Sequence, residues 1–314
     1  VLLTVLRRTA VFVASIVAAS VLVFLFMAVL PGDAAEVSLG TNATPEAVAA
    51  VRAEFGTDRP LPTQYFDWAG GLLTGDFGRS LISRESVTAQ ISDRLQVTMI
   101  LVFASMVVSL LIALPLGTLA AARHQRKSGL ALSGISQLGA AVPAFLAGIL
   151  LVALFSVTLG WFPSSGWTAP DDDFVGFLRQ LALPAISLGL VEGAVLTRYV
   201  RSAVLEVLRE DFLRTARAKG LTRSQALVRH GLRNAAIPVV TVLGLQLAAL
   251  LIGAVVIERV YVIPGLGSLL LDGVSSRDLL LVQGVVMVLV VAVLLINYVV
   301  DLLYTVIDPR LRGS

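Results

Sequence analysis

The sequence predicts an all-α, polytopic membrane protein with six transmembrane helices, and three observations carry that prediction. Apolar residues make up 57% of the 314 and charged residues only 14%, against about 25% charge in an ordinary soluble domain; the mean hydropathy is +0.88. Six apolar runs, near 9–30, 97–121, 135–159, 181–199, 237–257 and 279–303, are each long enough to cross about 30 Å of hydrocarbon. Finally, the charges alternate. Sixteen of the 24 Lys and Arg fall in the N-terminus, the 122–130 loop, the 198–236 loop and the C-terminal tail, while segments 31–96, 160–180 and 258–280 hold fifteen of the 21 acids. The positive-inside bias therefore places both termini and the 198–236 loop in the cytoplasm.

Composition also excludes. With no cysteine there are no disulfides and no thiolate metal sites. His124 and His230 are too far apart in sequence for a local metal pair, so no metal site is expected. Arg7 and Arg8 precede an apolar run too long for a signal-peptide core, so no cleavable signal is expected. The chain divides on this reading into a tail and first span (1–30), an extracytoplasmic segment with short helices (31–96), and a five-span core (97–314) that includes a cytoplasmic loop at 200–236.

Segment 31–96 opens with Thr44 before Pro45, an N-cap followed by a first-turn proline. Val48, Val51 and Phe55 face one way, and Gly56 ends the helix. Pro60 and Pro62 break the chain before Tyr65, Phe66, Trp68, Leu72 and Leu73, an aromatic patch suited to the lipid surface. Val87, Ile91 and Leu95 read as a lead-in helix to the second span. The segment either docks an external partner or only shields the span ends, and both readings stay open.

Within the spans, Pro115, Pro143 and Pro184 remove ladder hydrogen bonds and are expected to kink their helices. Ala185, Gly189, Gly193 and Thr197, four apart, form a small-residue stripe of the kind that permits close helix contact. Glu192 is the ionisable residue placed well inside a span. A charge there is costly and normally faces a polar cavity or a partner, so Glu192 either lines a substrate path or is held at a helix interface. Gln283, Asn297 and Asp301 suit interhelical hydrogen bonds or interfacial positions. Asp171, Asp172 and Asp173 read as a solvated turn, with cation binding the lesser alternative.

The stretch from Leu205 to Pro238 stands apart. It carries Arg209, Arg214, Arg217, Lys219, Arg223, Arg229 and Arg233 against Glu206, Glu210 and Asp211. Val204, Leu205, Leu208, Phe212 and Ala216 recur at helical spacing and predict one helical face. Gly220 supplies a left-handed stop, and Thr222 with Gln225 spells a capping box that restarts a helix; that second helix is expected to end near Pro238. Its arginines either lie on anionic headgroups or form a rigid lever seated in a cytoplasmic partner. The length of the loop favours the lever, since a topology signal needs only a few charges.

No catalytic constellation accompanies this path. G-x-x-x-x-G-K-[ST], H-E-x-x-H and G-x-S-x-G are all missing from the sequence, and Ile263-Pro264-Gly265-Leu266-Gly267 suits a turn better than a nucleotide. No enzymatic activity and no cofactor are expected in this chain. A gradient-driven carrier would need coupling-ion residues in the spans, where Glu192 stands almost alone. An intramembrane enzyme would need paired acids or His and Ser groups at membrane depth, and a scaffold would need no path at all.

The run Asp211-Phe212-Leu213-Arg214-Thr215-Ala216-Arg217-Ala218-Lys219-Gly220-Leu221, followed by Arg233-Asn234-Ala235-Ala236-Ile237-Pro238, resembles the cytoplasmic coupling loop of ABC-importer permeases. It is most similar to the dipeptide/oligopeptide/nickel branch. Pro60-Leu61-Pro62-Thr63-Gln64-Tyr65, Gly75-Asp76-Phe77-Gly78-Arg79-Ser80, Pro264-Gly265-Leu266-Gly267 and Asp308-Pro309-Arg310 resemble that branch too, and the long first outer segment looks like its B-type subunit. The resemblance implies a type I ABC importer permease fold in the bacterial inner membrane. It implies a heterodimer with a second homologous permease over two ATPase subunits, fed by an extracytoplasmic binding protein, with ATP and Mg confined to the ATPases and no nucleic acid as partner. Dipeptides or oligopeptides are the implied cargo, with nickel chelates, glutathione and haem precursors as alternatives within the branch. The implied ATPase-coupling surface comprises Phe212, Arg214, Thr215, Ala216, Lys219, Gly220 and Leu221. Arg214-Thr215-Ala216 stands where the wider pattern opens Glu-Ala-Ala, so contacts through a leading glutamate do not carry over; Ala216 and Gly220 match position by position.

Overall fold

The computed structural model describes residues 2–29, 34–40 and 43–307, and the Asp308-Pro309-Arg310 run lies outside them. In chain order the helices are α1 (Leu2–Val29), α2 (Ala34–Leu39), α3 (Pro45–Phe55), α4 (Leu61–Thr74), α5 (Val87–Ala122), α6 (Lys127–Ala141), α7 (Ala144–Leu151), α8 (Phe174–Val207), α9 (Asp211–Ala218), α10 (Arg223–Ala226), α11 (Leu232–Tyr261), α12 (Leu266–Ser275) and α13 (Leu279–Ile307). Among the described residues, only a bridge between Arg79 and Ser86 has β character.

Helices α1, α5, α8, α11 and α13 are each long and apolar enough to cross a membrane. At about 1.5 Å per residue, α5 (36 residues) and α8 (34 residues) span ~54 and ~51 Å. Hydropathy marks only the apolar middle of such helices, which is why the expected spans 97–121 and 181–199 fall short of the observed ends. Pro115 and Pro184 do sit inside them.

The third apolar run bends at its proline, and sharply. It consists of two helices, α6 and α7, the latter continued by a π-helical turn at Val152–Thr158, and the pair is bent by 96° at Pro143; counted as one broken span, it makes the sixth of the expected set. The residue before a proline is sterically pushed out of the α region. Val142 accordingly adopts φ −80° and ψ 125°, ending α6, and Pro143 becomes the cap position of α7.

The chain forms two compact units. The first holds the residues up to Thr98 together with Pro264–Tyr298. Its α3 begins as expected: Thr44 accepts a hydrogen bond from the Ala47 amide, Pro45 occupies the first turn, and Gly56 closes the helix at φ +68°. Val48 and Val51 bury against Ala35 and Leu81. A second cluster gathers Val87 and Ile91 of α5, Leu266 and Leu269 of α12, and Leu281 and Val285 of α13. The aromatic patch of α4 does not form one lipid face. Tyr65 and Trp68 turn onto Phe24 of α1 (ring centroids 5.5 and 6.0 Å apart), whereas Phe66 and Leu73 remain exposed.

The second unit, Met99–Ile263 with the residues from Val299 on, is organised around α8. The small-residue stripe is a packing seam. A Cβ on Gly189 would stand 2.7 Å from Val108 and 2.8 Å from the Ser105 carbonyl, so the α5 and α8 backbones approach closely only because that atom is missing. Tyr261, at the end of α11, is fully buried; its hydroxyl pairs with Ser187 of α8 at 2.8 Å and donates to the Gly148 carbonyl of α7 at 3.1 Å. Three helices are thereby fastened through one phenol.

Candidate functional site

Helix α8 does not stop at the end of its apolar run. It continues through Arg198 and Arg201 to Val207 and tightens into a turn, with Arg209 N–H donating to the Glu206 carbonyl (3.0 Å) and Glu210 N–H to that of Val207 (3.1 Å). Such three-residue hydrogen bonds commonly close a helix. The face expected to run from Val204 to Ala216 is therefore split: Val204 and Leu205 belong to α8, Phe212 and Ala216 to the separate α9.

Helix α9 is strongly amphipathic. Leu213 is buried at 3% exposure, while Phe212, Arg214 and Thr215 are exposed. Arg214 pairs with Asp211 at 3.2 Å, and the Thr215 hydroxyl donates to the Asp211 carbonyl at 3.1 Å. The helix ends as its sequence requires. Gly220 takes φ +95°, a left-handed conformation in which other residues are strained. Leu221 N–H reaches back to the Ala216 carbonyl at 3.3 Å and Gly220 N–H to that of Arg217 at 3.0 Å, satisfying carbonyls that a helix end leaves open. Lys219 is exposed; Ala216 and Leu221 are half-buried.

The restart is the capping box read from the sequence. Thr222 accepts from the Gln225 amide (3.3 Å), and Gln225 accepts from the Thr222 amide (3.0 Å). The following helix does not end near Pro238. Residues 223–261 are helical throughout, as α10, a π-helical turn at Leu227–Gly231, and α11, with Pro238 inside α11. Proline removes one ladder bond without stopping a helix that its neighbours support.

The consequence is mechanical. Leu213 sits in one apolar cluster with Val200, Val204 and Val207 of α8 and with Ala226, Leu227 and Val239 of the helix that follows. Ala216 and Leu221 pack against the same cluster. The short α9 is thus fixed by its buried face to two membrane-length helices while its charged face is free. Beside it, Arg214, Arg217, Ala218, Leu221, Thr222 and Arg223 line a positively charged groove of about 510 Å³.

Glu192 lies elsewhere, in α8. Its backbone carbonyl accepts from Gln246 at 3.1 Å, and its carboxylate makes no hydrogen bond or ion pair among the described residues. Asp173 caps α8 by accepting from the Val175 amide at 3.1 Å, so the aspartate triplet ends in a helix cap. Among the described residues no group of His, Cys, Asp and Glu is arranged to hold a metal.

Sequence reasoning passed over Ser80 and Asp278. Both are buried at 1% exposure. The Ser80 hydroxyl donates to the Asp278 carboxylate, which also accepts from the Leu81 amide and caps α13 through the Leu281 amide, each at 3.3 Å. The Gly75–Ser80 run is therefore a latch: Asp76 accepts from Gly78 N–H at 2.9 Å to fold the turn, and Ser80 fastens it to the start of α13. The available signal was Asp278 standing directly before an apolar run, as an N-cap does.

Comparison with known proteins decides the family. Residues 113–313 match the family described as "Binding-protein-dependent transport system inner membrane component", and residues 1–102 match its N-terminal companion, "Binding-prot-dependent transport system membrane comp, N-term". The chain belongs to this family. As a membrane component of a transport system it is not an enzyme, and it works alongside a binding protein. A Brucella abortus (strain 2308) protein named as a peptide transport system permease is 40% identical over 308 residues, covering 98% of each chain. The glutathione transport system permease protein GsiC of Salmonella typhimurium (strain LT2) is likewise 40% identical over 308 residues, again 98% of each. In this membrane component, the α9 turn lies within the span matched by the main family model.

Proposed function

We propose that this membrane component is one of two related permeases in an ATP-driven importer of short peptides, and that α9 is the part an ATPase subunit grips. The observation that carries the reading is Leu213: it ties an otherwise exposed, charged helix into the apolar cluster shared by α8 and the 223–261 helix. A push on α9 reaches two membrane helices without passing through a flexible loop. ATP and Mg are held in the partner ATPases. Coupling then works because nucleotide binding favours one of two arrangements of those subunits and, through α9, one of two arrangements of the spans.

The charge distribution supports a sidedness in which both termini and α9 face the cytoplasm and segment 31–96 faces outward to meet the binding protein. Phe212, Arg214, Thr215, Lys219 and Gly220 form the gripped surface, with Ala216 and Leu221 seating it. Peptides, glutathione among them, are the cargo class favoured by the names of the relatives. Glu192, whose carboxylate is unpartnered, lines the path.

Purification of the tagged chain tests the assembly. It is expected to bring down a related permease and ATPases, and ATP hydrolysis by the whole complex is expected to rise with peptide-loaded binding protein. Peptide uptake by this chain reconstituted alone contradicts the reading.

A further inference from the structure

The first unit contains a concavity well separated in sequence from the α9 turn. Its volume, about 530 Å³, falls within the ~300–1,000 Å³ typical of small-ligand sites. Its lining includes the aromatic Phe55, Trp68 and Phe77 and the charged Glu54, Arg59, Asp67, Asp76 and Arg79. Most of those charges are already matched: Arg59 pairs with Asp67 at 3.0 Å, and Glu54 with Arg84 at 2.9 Å. Two charged groups are not. The Arg79 side chain makes no hydrogen bond or ion pair among the described residues, and Asp76 commits only one carboxylate oxygen, to the Gly78 amide.

Gln283 of α13 completes the site. It is 5% exposed and lines the concavity, and its buried side-chain nitrogen has no acceptor. Buried polar groups in native proteins nearly always have a partner, supplied when necessary by water or a ligand. A cation and an anion without ion-pair partners, a buried amide donor and three aromatic rings in one lining match a small zwitterion with an apolar body.

We propose that this concavity binds a short peptide with both termini free, its carboxylate on Arg79 and Gln283, its amino group on Asp76, and its side chains against Phe55, Trp68 and Phe77. The inference rests on the peptide reading above and adds a binding site in the first unit, between segment 31–96 and residues of α1 and α13. It places peptide contact before entry into the membrane.

The test uses the assembled transporter in lipid nanodiscs without its binding protein, titrated by NMR with fluorine-labelled trialanine, its C-terminal amide and its N-acetyl form. Charge-assisted hydrogen bonds are the strong ones, so capping either end is expected to weaken binding about tenfold or more. Arg79→Gln is expected to bind the free and amidated peptides alike, and Asp76→Asn, which keeps the Gly78 hydrogen bond, to bind the free and acetylated peptides alike. Gln283→Leu is expected to weaken the free peptide more than the amide. No saturable binding to the wild type, meaning that water alone fills the concavity, overturns the site, as does Arg79→Gln that still discriminates against the amide. Trialanine uptake by the complete system separates the two claims. Uptake unchanged in Arg79→Gln overturns the site and leaves the peptide reading standing; no uptake of any peptide by the wild type overturns both.

Discussion

Leu213 of α9 lies over Gly231 in the π-helical turn: a Cβ on Gly231 would stand 3.6 Å from Leu213 Cδ1 and 2.8 Å from Leu227 Cδ1. The glycine makes room for Leu227, and Leu213, at ordinary van der Waals distance from the same position, holds α9 to the helix that runs on to Tyr261.

Leu213→Ala should loosen that hold. Truncating a buried leucine costs about 2–5 kcal/mol, here local to the α9 seat. The variant is expected to insert and assemble, while hydrolysis by the complex loses its response to loaded binding protein and uptake falls. A stimulation ratio and an uptake rate equal to wild type would count against the lever.

Gly220 is required for its backbone and not for space. Nothing lies within 4 Å of a Cβ added there, yet φ is +95°. Gly220→Val is expected to cost about 1–2 kcal/mol in the turn and to impair coupling, whereas Gly220→Asn should be tolerated better because asparagine visits left-handed conformations more readily. Equal uptake by the two variants refutes this assignment.

Asp278→Ala removes both the Ser80 partner and the α13 cap. The loss of a buried hydrogen-bonded carboxylate should cost about 2 kcal/mol or more and release the 78–86 turn. Faster tryptic cleavage after Arg79 or Arg84 in outward-exposed protein is the expected readout, with Asp278→Asn intermediate.

Gly189→Leu places a side chain where Val108 and the Ser105 carbonyl already stand within 2.8 Å. Overpacking of this kind costs about 1–3 kcal/mol, and the expected result is a lowered unfolding temperature of the purified complex. Gly134→Leu, at a helical glycine with nothing within 4 Å of its Cβ, serves as the comparison and should change little.

What was legible in the sequence was local. Thr44, Pro45 and Gly56, like Gly220, Thr222 and Gln225, declare helix ends through groups only a few residues apart, and each acts in the fold as its spelling requires. The small-residue stripe was legible because period four is the geometry of one helix face. Errors arose where the same signal has two structural outcomes. Apolar spacing from Val204 to Ala216 runs across the break at Leu208–Glu210 without a gap, and hydropathy is blind to direction, so the size of the 96° bend at Val142-Pro143 has no counterpart in it. Pro238 stands where the apolar sequence resumes, a change of surroundings that looks like a helix end but that α11 runs through. Contacts between remote residues were not legible at all: Ser80 and Asp278 are 198 positions apart, and neither residue announces its partner.

The most direct test of the α9 account exploits the chain's freedom from cysteine. Lys219→Cys introduces a single thiol at an exposed position of the turn, and a short maleimide–succinimide cross-linker reports what lies beside it in inside-out vesicles carrying the complete transporter. The account predicts a cross-link to an ATPase subunit whose yield changes when ATP is added. A thiol that labels freely with a bulky maleimide while uptake continues, and that forms no ATPase adduct with or without nucleotide, would contradict it.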